Sequence, residues 1–418
     1  MAFVALIAYL AFVLIRPQEF FGPLMGLPLV KFSLIVAALF MLADKNRRFD
    51  APQNNLLFWL IPVIFLSAFV NNSFAYAVEN LTAYLTSIFL PFLIIQNLVN
   101  TEKKQHIALL LMVVAALVMV NDGMAQKASN DGVGWSGAAL SQGTRITYLG
   151  IFNDPNDLGM YLVMVLPLTF YFFYRANTLL KPLFMFSAGF ILYGIYLTNS
   201  RGALLATMSQ VGLWFFNRYG LKKSMIAGAF AAPVALVVMS MFREIDSEEA
   251  SAEGRLEAWY EGFQLLFWKP VLGVGMGQFT DHHYLTAHNS FVLVFSELGL
   301  SGYYLWVGFL TFSALMLLLI WNKKIKGSLF EKASATEQSI ARTLTYSMLG
   351  YLATAFFLSR SYTPMLYIFC AMFVAGFYRT TGYQKGYYRL SFKDYSGKVF
   401  LVFSASLVLI YFTVRFLL

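Results

Sequence analysis

Asn289 to Trp321 reads NSFVLVFSELGLSGYYLWVGFLTFSALMLLLIW, and this stretch decides the fold class. It is longer than the roughly 20 apolar residues that cross about 30 Å of hydrocarbon. Gly299-Leu300-Ser301-Gly302 inside it offers a surface turn ahead of the true span. Similar apolar stretches recur on both sides, at 2–15, 24–43, 56–70, 81–99, 105–120, 156–174, 182–199, 202–217, 224–242, 341–358, 362–378 and 399–417. Of the 418 residues 59% are hydrophobic and only 12% charged, too apolar a balance for a water-soluble globule. The solvent for most of the chain is lipid. The expectation is an all-α polytopic membrane protein, a single integral membrane domain over 1–418 with about 12–13 transmembrane helices. Ala2 to Ile15 lacks a basic n-region and a small-residue cleavage site, so it reads as a retained first span. The single cysteine, Cys370, rules out an intramolecular disulfide and a cysteine-based metal cluster.

Charge sets the expected orientation. Alternate loops carry Lys45, Arg47 and Arg48, then Lys103 and Lys104, Arg175 and Lys181, Arg218, Lys222 and Lys223, a run from Lys323 to Arg342, and a run from Arg379 to Lys398. Twenty of the thirty basic residues thus fall on one side, which the positive-inside rule makes cytoplasmic, along with the N-terminus. The +9 net charge is spread thinly over these loops as a topology signal, so no nucleic-acid partner is expected. The opposite side keeps Arg16, Lys127, Arg145, Arg201, Arg243, Arg255, Lys269 and Arg360, mostly arginine. Arginine's planar fork suits phosphate and carboxylate. Two readings stay open at this point: these arginines hold an anion, or they pair with acids of the same loops such as Glu248, Glu249 and Glu253.

Two loops on that side are long. The first, 121–153, is rich in Gly, Ser and Asn and reads as a mobile, solvated segment. It ends in Asn153-Asp154-Pro155-Asn156-Asp157, which either caps the next helix or forms a polar, sugar-contacting edge of a site. The second, 243–288, holds Leu256, Trp259, Tyr260, Phe263, Leu266 and Phe267 at helical spacing, opposite Arg255, Glu257, Glu261 and Gln264. That pattern predicts an amphipathic helix near 253–268, lying in the membrane interface over a cavity or packed on the bundle for stability alone. Gly273-Val274-Gly275-Met276-Gly277 lacks the strand and Lys-Ser ending of a phosphate loop, and instead suits a tight backbone path.

Three of the four histidines, His282, His283 and His288, lie within seven residues. They lack the helical HExxH arrangement and any cysteine, so no metal site is assigned. His288, directly before Asn289-Ser290 and the apolar run, is placed as a general base or hydrogen-bond donor. Thr198-Asn199-Ser200-Arg201-Gly202 joins two spans, and Ser200 is positioned to cap the helix that Arg201 begins. A helix N-terminus beside an arginine is a ready phosphate site. An interfacial arginine that merely snorkels to water remains the other reading.

Taken in order, Ser200-Arg201-Gly202, Gly254-Arg255 with Trp259, Pro270 with Gly273-Val274-Gly275, His288-Asn289-Ser290 and Glu297-Leu298-Gly299-Leu300 resemble the O-antigen ligase/polymerase superfamily. The likeness covers roughly 150–310. Arg16-Pro17-Gln18-Glu19, Asp154-Pro155-Asn156-Asp157 and the acidic run before Gly254-Arg255 look like one branch of it, the O-glycosylation ligases associated with exosortase systems. The resemblance implies an inverting, metal-independent glycosyltransferase of the GT-C type, with no cofactor. It would sit in a bacterial inner membrane and move a glycan from undecaprenyl pyrophosphate to an acceptor lipid, protein or polysaccharide at the periplasmic face. Carried over by motif, Arg201 and Arg255 would hold the donor pyrophosphate and His288 would orient or deprotonate the acceptor hydroxyl, with Glu261 or Glu297 assisting. Asp154, Asn156, Asn289, Arg145 and Arg360 are further candidates for substrate contact. A polysaccharide polymerase is the alternative within the same chemistry, and a transporter or flippase of lipid-linked glycans the alternative outside it. The transporter predicts charges deep in the spans and a symmetric repeat, whereas only five charged residues, Lys31, Asp157, Glu297, Arg342 and Arg415, fall within the spans drawn.

Overall fold

The computed structural model describes residues 1–229, 252–382 and 388–417. In chain order the helices are α1 (Ala2–Leu14), α2 (Leu29–Ala43), α3 (Pro52–Asn71), α4 (Phe74–Leu98), α5 (Glu102–Ala128), α6 (Pro155–Arg175), α7 (Lys181–Leu197), α8 (Arg201–Tyr219), α9 (Ala252–Trp268), α10 (Ser290–Trp321), α11 (Ala335–Ala355), α12 (Pro364–Thr381) and α13 (Phe392–Leu417). Among the described residues short 3-10 turns, such as Pro17–Glu19 and Gly150–Phe152, and isolated β-bridges complete the regular structure. The all-α polytopic expectation is borne out. Among the described residues six helices, α3, α4, α5, α6, α10 and α13, are long and apolar enough to cross a membrane, and α1, α2 and α7 are shorter apolar helices. The expected span 224–242 is helical over 221–229 and otherwise lies outside the described residues. So do Arg243, Glu248, Glu249 and Lys385, and with them the 243–251 part of the second long loop.

The chain gathers into two compact units. One comprises Met1–Ala37, Lys103–Glu249 and Arg342–Thr354, the other Ala38–Glu102, Ala250–Ala341 and Ala355–Leu418. In the first, α6 packs on α7 and α8. Small residues let these helices approach, as is usual where both helices and lipid are apolar. A Cβ on Gly159 of α6 would lie 2.9 Å from Ala203 Cβ of α8, and one on Gly194 of α7 would lie 2.3 Å from Val120 of α5. In the second unit α10 is central, packed on α3, α9, α12 and α13. The outer face of α13 presents Phe400, Leu401, Leu409, Phe412 and Phe416, as suits a surface solvated by lipid.

Two corrections concern charge and loops. Arg48 and Arg379, counted with the exposed topology signals, are buried in ion pairs with Asp50 and Glu337, and Arg379 also donates to the Val99 carbonyl. These charges hold the second unit together, because a buried guanidinium needs its carboxylate. The segment expected as a solvated loop from Asn121 is helical to Ala128, and beyond it the chain alternates exposed residues such as Trp135 and Gly143 with buried ones such as Ser136, Arg145 and Tyr148. Asp122 of α5 is fully buried and accepts hydrogen bonds from the Ser136 N–H at 2.8 Å and hydroxyl at 2.9 Å. Gln126 donates to the Thr147 carbonyl at 2.8 Å and accepts from the Thr147 N–H at 3.1 Å. Polar residues that read as loop therefore serve as partners for the loop's own backbone.

The turn anticipated inside 289–321 exists. Gly299 has φ 64° and ψ −168°, which breaks α10 into a short first segment and a long second one. The break frees carbonyls that a strap following α9 takes up. Val274 N–H donates to Ser296 O at 3.0 Å and Gly275 N–H to Glu297 O at 2.9 Å, while Leu300 N–H donates to Pro270 O at 2.8 Å. A Cβ on Gly299 would lie 2.4 Å from Val271 O, and one on Gly273 2.4 Å from the Glu297 carbonyl carbon. From α3, Ser67 donates to Leu272 O at 2.6 Å and Asn71 to Gly273 O at 2.9 Å. Gly299→Ala is accordingly expected to destabilise by at least about 1–2 kcal/mol from the left-handed backbone alone. Gly212→Ala, in α8 with open space around it, is expected to be neutral or slightly stabilising. Thermal unfolding of the two purified variants checks this, and equal melting temperatures would contradict it.

Candidate active site

Arg201, Arg145, Asp154 and Asn156 belong to the first unit, and Arg255, His288, Asn289 and Arg360 to the second. Each group is built around a helix start.

In the first unit, Asn199 takes the left-handed conformation at φ 49°, and Ser200 caps α8 by accepting from the Ala203 N–H at 3.3 Å. Thr198, Asn199 and Ser200 are buried while Arg201, the first residue of the helix, is half-buried. The cap leaves Arg201 beside the positive end of the helix dipole. Arg145 behaves differently from an exposed anion ligand, being 1% exposed. Its Nε donates to Thr198 O at 3.0 Å and its Nη2 to Asn156 Oδ1 at 2.9 Å. Asp154 caps α6 by accepting from the Asn156 N–H at 2.7 Å. Arg145, Asp154 and Asn156 thus join the start of α6 to the turn that presents Arg201.

In the second unit, His288 is left-handed at φ 48°, and Asn289 caps α10 by accepting from the N–H groups of Phe291 at 2.9 Å and Val292 at 3.2 Å. Asn289 is fully buried, whereas His288 is half-buried. Ser290 pins a second loop. Its hydroxyl donates to Leu358 O at 2.6 Å and accepts from the Arg360 N–H at 2.9 Å, and its carbonyl accepts from the Ser361 hydroxyl at 2.7 Å. The half-buried Arg360 is thereby fixed to the residue two along from His288. The Tyr362 hydroxyl lies against the Glu297 carboxyl, and burial raises its pKa above the ordinary phenol value.

Arg255 stands in the first turn of α9, half-buried. One turn on, Trp259 meets Phe356 edge-to-face at 5.2 Å, just before the loop that Ser290 holds. The buried face of α9 is set by small residues. Gly254, Ala258 and Gly262 lie inward, with a Cβ on Gly262 falling 2.3 Å from Val292 of α10. Of the expected apolar face, Trp259, Phe263 and Leu266 are buried, while Tyr260 and Phe267 are exposed by 50% and 63%. Glu297 is buried and accepts from the Phe279 N–H at 3.3 Å, so its carboxyl anchors the strap.

His282 and His283 are not part of this constellation. His282 packs edge-on against Trp268, and His283 Nδ1 accepts from the Leu285 N–H at 3.1 Å. Among the described residues no group of three His, Cys, Asp or Glu is placed to hold a metal ion. Sequence reading missed Asp122 and Gln126, which anchor the first loop, and Ser290's link to Arg360. No local signal marks the latter, because its partners are about seventy residues apart.

No curated protein matches the chain. The family model for O-antigen ligase matches residues 186–307. That segment contains Arg201, Arg255, His288 and Asn289, while Arg145, Asp154, Asn156 and Arg360 lie outside it. Over residues 186–307 this polytopic membrane protein is thus similar to the O-antigen ligase family.

Proposed function

We propose that the protein is an O-antigen ligase-like glycosyltransferase, transferring a glycan from undecaprenyl pyrophosphate to an acceptor hydroxyl. The observation that carries this reading is the family match, which takes in Arg201, Arg255 and His288 together. The local geometry supports it. Both helix starts present a cationic or proton-accepting side chain beside the positive end of a helix dipole, the arrangement that favours phosphate and developing negative charge. Positive-inside counting supports a periplasmic site in an inner membrane with a cytoplasmic N-terminus.

In the proposed reaction the acceptor oxygen attacks the anomeric carbon of the donor sugar from the face opposite the pyrophosphate. The carbon–oxygen bond to phosphate breaks, the anomeric configuration inverts, and undecaprenyl pyrophosphate leaves with the electron pair. His288 takes the hydroxyl proton and returns it to water. Arg201 and Arg255 stabilise the charge that develops on the leaving oxygen, and two guanidinium forks supply what a divalent cation otherwise would. Arg360, set by Ser290, stands as a further anion contact, and the Asn289 side-chain amide beside His288 has a buried N–H₂ with no acceptor among the described residues. Arg145 and Asn156 act by holding the Arg201 turn.

Transfer is read in proteoliposomes with radiolabelled donor and membrane extract as acceptor. His288→Ala is expected to lower the rate by about 10²–10⁴-fold, the usual contribution of a general base. Arg255→Ala is expected to abolish transfer, and Arg255→Lys to restore it poorly because lysine acts as a point charge. Excess EDTA is expected to leave the wild-type rate unchanged, and an EDTA-sensitive rate would contradict the metal-independent mechanism. Ser290→Ala removes two hydrogen bonds of about 0.5–1.5 kcal/mol each. It is expected to lower both melting temperature and transfer, and a fully active, equally stable variant would show that Ser290 does not set Arg360.

A further inference from the structure

Between α3 and α10 the second unit carries a groove of about 510 Å³, lined chiefly by Trp59, Pro62, Val63, Leu300, Tyr304 and Leu305. Its volume is within the roughly 300–1,000 Å³ of small-molecule sites. The lining is apolar, and the hydroxyl of Ser301 at its edge is already committed to Val271 O at 2.6 Å. Such a surface offers nothing to a sugar and everything to a hydrocarbon chain. One end of the groove meets the strap, because Leu300 N–H donates to Pro270 O at 2.8 Å.

Lys269 stands at that end. Its ammonium donates to Asn71 Oδ1 at the last residue of α3 and lies 4.1 Å from the Trp268 ring centroid. Both neighbours are neutral, and among the described residues no carboxylate is within ion-pairing reach of it. Asn71 is eight residues beyond Val63 on α3, about 12 Å at the helical rise. Phe267, Trp268 and Val271 around Lys269 are 61–66% exposed, the kind of aromatic and apolar rim found at headgroup level. An apolar trough with an uncompensated cation at its head matches an amphiphile with an anionic headgroup.

We propose that this groove binds one anionic phospholipid of the bilayer, its acyl chain along Trp59, Val63 and Tyr304 and its phosphate on Lys269. A single lysine, a point charge, suits a monoanionic phosphodiester, whereas the paired arginine forks assigned to the donor suit a pyrophosphate. The site is therefore distinct from the proposed donor site. Its occupant ties the strap to the membrane interface, reinforcing the hold that Asn71 already has on it.

The test is native mass spectrometry of the full-length protein equilibrated with equal amounts of phosphatidylglycerol and phosphatidylcholine of the same chains. Wild type is expected to retain phosphatidylglycerol about fivefold over phosphatidylcholine, the factor for one lysine beside an anionic headgroup. Lys269→Gln is expected to lose that preference and Lys269→Arg to keep it. Val63→Trp, which fills the groove from a lipid-facing helix surface, is expected to lower retention of both lipids. Equal retention of the two lipids by wild type, an unchanged preference in Lys269→Gln, or unchanged retention in Val63→Trp would each overturn the proposal. Displacement of phosphatidylglycerol by an equimolar polyprenyl phosphate would overturn it too, reassigning the groove to an isoprenoid chain.

Discussion

The second unit depends on the backbone pairing between the strap after α9 and the break at Gly299. A helix broken within a lipid environment must find partners for its freed carbonyls, since hydrocarbon supplies none. Here the N–H groups of Val274 and Gly275 supply them, at 3.0 and 2.9 Å. The contact is close enough that a single Cβ on Gly273 or Gly299 would collide with the opposite backbone at 2.4 Å. This pairing shapes its surroundings. The first segment of α10 is released from the direction of the long span, α9 is drawn onto it through Gly262, and the strap is set at the head of the groove between α3 and α10.

The starts of α8 and α10 are built on one local plan. A non-glycine residue takes a left-handed conformation, Asn199 at φ 49° and His288 at φ 48°. The next residue, Ser200 or Asn289, then caps a helix through its side-chain oxygen. Left-handed backbone in such residues is uncommon and persists where the surroundings hold it. For Asn199 the hold includes Arg145 on the neighbouring Thr198 carbonyl. For His288 it includes the Ser290 contacts with the 358–361 loop. In both cases the candidate side chain is carried by a short turn at a helix start, the placement that the proposed catalysis would require.

Much of this was legible in the sequence because the signals are local. Hydropathy located the helices, the run from Gly299 to Gly302 located the break, and the spacing from Leu256 to Phe267 located α9. Long-range partners were not legible. Asn121-Asp122-Gly123 reads as loop, yet α5 continues through it because Asp122 is satisfied by Ser136, fourteen residues on. Arg145 reads as one candidate substrate contact among several, and only the fold reveals Thr198 and Asn156 around its guanidinium. Which part of the apolar face of α9 packs inward was not legible either, because large apolar residues dominate a helical pattern, whereas Gly254, Ala258 and Gly262 lie on the side that approaches α10.

The central proposal is that Arg201 and Arg255 both act on the departing pyrophosphate. A double-mutant cycle on single-turnover transfer, using Arg201→Gln, Arg255→Gln and the pair, tests it most directly. Two groups acting on one leaving group are expected to couple by about 0.5–3 kcal/mol, so that the second substitution costs far less once the first is made. Effects that add to within about 0.3–0.5 kcal/mol would mean that the two arginines act at separate places, and would contradict the account.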